Sequence, residues 1–193
     1  CDESRIAEKL DRLRRRRVYL GLIDRNPGLG DIDYVGSDNC GGAYSAVRHM
    51  AMQGFRNVAF VSHMSDVSSV NERFDGYMKA VEDFGMNAVT RIDINEDPAR
   101  YPHCMHRFFV EKLREELAKL KQHIPLGIFA VNDVIALQCI RILQEEGLEV
   151  GRDIGIVGFD NIPETEFSKA PLTTVAQNGL LIGQNAANIA IDK

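Results

Sequence analysis

The sequence predicts an α/β fold in which parallel sheets are covered by helices on both faces. Three observations carry that reading. The runs Gly127–Val131 (GIFAV) and Ile154–Val157 (IGIV) are continuous in apolar and glycine residues, as strands buried on both faces are. Strand-length apolar runs alternate along the chain with longer amphipathic stretches, the pattern of strand–helix units around a parallel sheet. Three of those stretches stop at Gly54, Gly85 and Gly147, and glycine closes helices because it enters the left-handed region without steric cost.

The elements follow in order. A polar helix is expected over Glu3–Arg16, with Ile6, Leu10 and Leu13 on one face, then a short strand over Tyr19–Ile23. Asn26-Pro27-Gly28 and Gly30-Asp31 form the loop after it. A helix over Gly41–Gln53 leads to a strand over Asn57–Val61. The polar loop Ser62–Ser69 precedes a helix over Val70–Phe84, and Val89–Ile94 is the next strand. Asp97-Pro98 breaks the chain before a long helix over His103–Gln122. The strand Gly127–Val131, a helix over Asp133–Glu146, the strand Ile154–Val157, a short strand Thr173–Ala176 and a helix from Leu180 complete the order. The stretch Ser62–Val175 reads as a lobe of its own. Tyr19–Val61, with two strands around one helix, is too little for an independent domain.

At 193 residues, with 45% hydrophobic and 26% charged residues, the chain suits one large domain or two small lobes of a soluble globular protein. No run approaches the roughly 20 apolar residues of a membrane helix, and no basic-then-apolar signal segment opens the chain. A start at Cys1 rather than Met points to sequence upstream. A net charge of −5 argues against this segment holding nucleic acid by itself, which needs Lys and Arg facing phosphates. Cys1, Cys40, Cys104 and Cys139 are widely spaced without a CxxC pair, against a structural zinc site and for a reducing, cytoplasmic compartment.

Four polar features fall where a parallel sheet presents a ligand, just past the carboxyl ends of its strands. They are the Ser62–Ser69 loop, Arg73 early on the next helix, Asn132-Asp133, and Asp160-Asn161. A guanidinium fork, a carboxylate acceptor, an amide and hydroxyls suit a neutral polyhydroxylated ligand such as a sugar. Each residue also has a plain structural reading. Asn132 or Asp133 caps the following helix, Arg73 is an ordinary helix residue, and Asp160 makes an Asx turn. His103 and His106 lie three apart on a helix, but two histidines without a third ligand make a poor metal site. Gly36–Gly42 fits neither GxGxxG nor a P-loop and reads as a turn into a helix. Arg14–Arg17 reads as a solvated helix end. No GxSxG nucleophile elbow is present, and no metal or cofactor is expected.

Several of these residues fall in a longer pattern. It comprises Ile23-Asp24-Arg25, Asp38-Asn39-x-x-Gly42-Ala43, Arg73-x-x-Gly76-Tyr77-x-x-Ala80, Asn132-Asp133-x-x-Ala136-Leu137, Gly147-Leu148-x-Val150, Asp153-Ile154, Val157-Gly158-Phe159-Asp160-Asn161 and Pro171-Leu172-Thr173-Thr174-Val175. The pattern resembles the effector-binding domain of the lactose-repressor (LacI/GalR) family of bacterial transcription regulators, across nearly everything from Leu22 to Ile189. Gly41-Gly42 and the helix-rich stretch before Pro125 look closer to the arabinose-repressor type, which joins this sensor to a winged-helix DNA-binding domain.

The resemblance implies a two-lobed periplasmic-binding-protein-like fold with a small effector, often a sugar or nucleobase, between the lobes. The N-terminal lobe is then residues 1–62 and 178–193, incomplete because the family's first strand and helix are missing, and the C-terminal lobe is residues 63–177. By position, Arg73, Asn132 and Asp160 match residues that contact the effector in sugar-binding members, and Ser69 matches a hydroxyl position that varies. The chain departs from the family where an aromatic often stacks on the effector, since Asn95-Glu96-Asp97 stands there and Tyr101 is the nearest ring. The function so implied is effector sensing in a cytoplasmic, homodimeric repressor that meets operator DNA through a domain absent from this chain. No enzymatic activity is expected. The alternative is a solute-binding protein of a sugar transporter, which shares the fold but requires export.

Overall fold

The computed structural model describes residues 8–10, 12–13, 15–16, 19–26, 30, 32–63, 67–94, 105–167 and 171–193, with only the backbone for 105–108 and 167. It divides into two compact units, one of residues 1–38, 67–69 and 178–193, the other of residues 39–66 and 70–177.

The larger unit is built on one five-stranded, wholly parallel sheet in the order β4-β3-β5-β6-β7. The strands are β3 (Asn57–Ser62), β4 (Asn87–Asp93), β5 (Leu126–Ala130), β6 (Ile154–Asp160) and β7 (Thr173–Ala176). Its helices are α1 (Asn39–Met52), α2 (Ser68–Asp83), α3 (Met105–Ala118) and α4 (Asp133–Glu145). Parallel neighbours need crossovers, and these are right-handed almost without exception. The outward step from β3 to β4 therefore puts α2 on one face. The return to β5 and the step to β6 put α3 and α4 on the other.

The contacts agree with that division. Tyr44 of α1 donates to Asp83 of α2, and Arg114 of α3 pairs with Glu145 and Glu146 at the end of α4. With both faces covered, every residue of β5 is buried. Tyr77 of α2 is also buried and donates its hydroxyl to the Val58 carbonyl at 3.0 Å, and burial raises its pKa.

The helix ends obey the sequence signals. Asn132 caps α4 through a 3.0 Å bond from the Ile135 N–H to its Oδ1. Gly54, Gly85 and Gly147 all have positive φ. At Gly147 the returning N–H groups of Gly147 and Leu148 satisfy Gln144 and Leu143 carbonyls, the double bond of a left-handed C-cap. The turn into β6 is closed at Gly151, φ +98, whose N–H donates to the Ile154 carbonyl.

The smaller unit holds β1 (Gly21–Ile23) and β2 (Asp33–Val35), paired in parallel, and α5 (Gly179–Ile191). Asn178 caps α5 by accepting from the Leu181 N–H at 2.9 Å. None of the thirteen residues of α5 is buried.

Two expectations need correction. The three-residue strand β2 has no counterpart in the sequence reading, because three residues carry too little alternation to stand out. The division between the lobes also moves. Residues 39–62, expected in the N-terminal lobe, fall in the larger unit, because β3 pairs with both β4 and β5 and so lies inside the sheet. The expected start of the first helix, the 95–104 stretch and the 168–170 stretch lie outside the described residues. No helix among the described residues is long and apolar enough to cross a membrane.

Candidate ligand-binding site

In the order β4-β3-β5-β6-β7 the chain leaves β3 outward to β4 and later resumes on the other side at β5, so the direction of winding reverses between β3 and β5. Ligands bind outside the carboxyl ends of strands at such a reversal. Arg73, in the second turn of α2, reaches this edge. Its Nη1 donates to the carbonyl of Val131, one residue past β5, at 2.6 Å.

Arg73 is only 6% exposed, and its charge must be compensated, since an unpaired buried charge is costly. Its Nε donates to Oδ1 of Asn39 at 2.9 Å, and Nη1 stands 3.5 Å from Oδ1 of Asp160. The guanidinium carbon lies 3.8 Å from the centroid of the Phe159 ring, a cation–π contact that also fixes the plane of the fork. Phe159 is backed in turn by Gly42, where a Cβ would come within 2.8 Å of the ring. Asn39, itself 2% exposed, passes the chain on by donating Nδ2 to Glu72 at 2.7 Å.

Asp160 ends β6 with φ +116, and Asn161 follows at +58. Non-glycine residues at such angles are held against steric resistance of order 1–3 kcal/mol, and they cluster at functional sites. The strained turn leaves the Asp160 side chain part-exposed, while its Oδ1 accepts from Nε2 of Gln177 at 2.5 Å. The edge therefore offers an arginine fork and a carboxylate side by side, each held by its own amide.

The four predicted contacts have different fates. Arg73 and Asp160 are brought together. Asn132 is the α4 cap, with its Oδ1 engaged by the Ile135 N–H. Ser69 is buried in the first turn of α2 and groups with the smaller unit. Asp133, singled out with Asn132, is wholly buried and structural. It accepts from Thr174 Oγ1 at 2.6 Å and the Ile162 N–H at 2.9 Å, tying the loop after β6 to β7. Gly158 permits this, because a Cβ there would meet Asp133 Oδ1 at 2.2 Å.

Sequence reasoning missed the roles of Glu72, Asn39, Phe159 and Gln177. Asn39 and Phe159 were visible only as pattern positions, and Gln177 only as the residue after the last strand. His103, Asn95-Glu96-Asp97 and Tyr101 lie outside the described residues, as does the side chain of His106. Among the described residues no group of three or more His, Cys, Asp or Glu is placed to hold a metal.

Residues 47–193 match the family described as the periplasmic binding protein-like domain. The chain belongs to that family. Among relatives, the HTH-type transcriptional regulator DegA of Bacillus subtilis (strain 168) is 30% identical over 169 residues, which is 87% of this chain and 47% of DegA. The HTH-type transcriptional repressor PurR of Haemophilus influenzae (strain PittEE) is 28% identical over 178 residues, 91% of this chain and 50% of PurR. The crystal structure of a LacI-family transcriptional regulator from Enterococcus faecium with bound ribose superposes with a TM-score of 0.76 at 26% identity, covering 94% of this chain and 64% of that one. The chain spans about half the length of the curated relatives it matches. Within this periplasmic binding protein-like domain, the Arg73–Asp160 pair occupies the carboxyl edge of the sheet.

Proposed function

We propose that this chain is the effector-sensing domain of a bacterial transcriptional repressor, binding a sugar or related small polar molecule through Arg73, Asn132 and Asp160, with Ser69 as a further contact. The observation that carries the proposal is the Arg73–Asp160 pair at the carboxyl edge. A hydroxyl can accept from the fork and donate to the carboxylate, and vicinal hydroxyls engage both at once. The bound ribose of the Enterococcus faecium regulator supports a sugar as the first ligand to try.

No bond is made or broken in this reading. The ligand favours one arrangement of the sensor and so alters how a cytoplasmic homodimer holds operator DNA, through a DNA-binding domain outside this chain. Such couplings are typically about 1–3 kcal/mol and reciprocal between the two ligands.

Calorimetry with a panel of pentoses and hexoses, beginning with D-ribose, tests the proposal on wild type and Arg73→Ala. At least one sugar binds the wild type, and Arg73→Ala weakens it about 100-fold, the loss of one or two charge-assisted bonds of about 1.5–3 kcal/mol each. A panel without any binding, or equal affinity in the two proteins, overturns the assignment.

A further inference from the structure

The two charged groups of the site are each held by an amide, and both amides stand where the chain passes between the units. Asn39 is the first residue of the larger unit after the smaller unit's segment ends at Asp38, and Gln177 is the last before the smaller unit resumes at Asn178. A third passage re-enters the larger unit at Val70, and Arg73 lies three residues further along the same helix, so three passages reach the same pair.

Asn39 holds Arg73 across 34 positions of sequence. Gln177 holds Asp160 across 17 positions, by its side chain at 2.5 Å and by its backbone N–H to the Asp160 carbonyl at 3.4 Å. Asn39 has no slack. It is 2% exposed, and its oxygen is taken by Arg73 and its nitrogen by Glu72, so a shift of the guanidinium must displace Asn39 or break a buried bond. On the other side, Gln177 and Arg73 share one oxygen of Asp160, so a ligand that draws this carboxylate away also draws on Gln177.

We propose that Asn39 and Gln177 are positioning residues that tie the geometry of the Arg73–Asp160 pair to the backbone at two passages between the units. The proposal rests on the reading of that pair as the effector contact and names how its occupancy is transmitted. Neither amide need touch the ligand. Each acts through the charged group it holds.

Hydrogen exchange on the intact protein without ligand tests the tie, reading the amides of residues 37–43 and 176–182 against those of β5 as an internal reference. Gln177→Leu speeds exchange over 176–182, and Asn39→Leu over 37–43, by about tenfold or more, with β5 unchanged. Arg73→Met, remote in sequence from both passages, speeds 37–43 as well, a response that ordinary packing of residue 39 does not produce. The exchanged pair Asn39→Asp with Glu72→Gln keeps an acceptor for Arg73 and a donor from residue 72. It restores wild-type exchange where Asn39→Asp alone does not, and it decides the matter if Asn39→Leu fails to fold.

Wild-type exchange at both passages in the single variants, or acceleration spread equally into β5, overturns the proposal. Because no ligand is present, failure of the sugar panel leaves this result standing. Normal sugar binding with unchanged exchange removes only this inference.

Discussion

The strand β5 and the helix α5 are both written largely in apolar and small residues, LGIFA and GLLIGQNAANIAI, yet all five residues of the first are buried and none of the thirteen of the second. The difference lies in neighbours. β5 has β3 and β6 on its two edges and helices over both faces, whereas α5 packs on the short pair β1 and β2 of its own unit. Burial is a property of the assembly around a segment, so equal hydrophobicity gives unequal stabilisation. The lesson extends to function, because Arg73 and Asp160 are set at the edge of the well-covered sheet, where supporting side chains hold them in place.

The sharpest test of this contrast is a pair of truncations. Phe129→Ala, in the fully buried centre of β5, costs about 3–5 kcal/mol, whereas Leu180→Ala, at a residue 74% exposed in α5, stays within about 0.5 kcal/mol. Urea unfolding curves give both values, and comparable costs would break the contrast. Asp133→Ala comes next. It deletes two bonds to a buried carboxylate and is expected to cost about 3 kcal/mol, seen as a lowered denaturation midpoint.

Much of this contrast was readable beforehand. The continuous runs of β5 and β6 mark strands covered on both faces, and Asn132 and Gly147 mark the ends of α4 because capping is a local matter of side-chain reach and allowed φ. Sheet membership is not local. Nothing in Asn57–Ser62 says that it pairs with Leu126–Ala130 rather than with β1, and the lobe boundary was misplaced for that reason. The site divides in the same way. Arg73 and Asp160 stood out as charges in a spaced pattern next to strand ends, but Asn39 and Gln177 acquire their roles only through contacts between segments far apart in the chain. Asn132-Asp133 shows the limit most clearly, since two adjacent polar residues proved to be a cap and a buried strut, and no local rule separates them.

Two smaller effects refine the picture of the larger unit's periphery. Gly147→Ala, forcing a side chain to φ +77, is expected to cost about 1 kcal/mol, measurable as a small drop in melting temperature. The weakest effect concerns the ion pairs joining α3 to the end of α4. A bond from Arg114 holds the Glu145 carboxyl below its ordinary value of 4.5, and bonds from Lys121 and then Arg114 do the same for Glu146. Groups with depressed folded pKa values stabilise the fold above about pH 4.5 and lose that contribution as pH falls through the lower folded value. Arg114→Ala should therefore slightly reduce the melting temperature at neutral pH and leave it unchanged in strong acid. A variant equally destabilised at both pH values would show that the bridges contribute through packing alone.

The turn at Gly151 has a practical use. In a sheet whose strands all run one way, the end where each strand begins is a separate surface from the end where it finishes, and Gly151 lies at the first while Arg73 and Asp160 occupy the second. A label on the exposed side chain of Arg152, beside that turn, is therefore held at the opposite end of β6 from the Arg73–Asp160 pair.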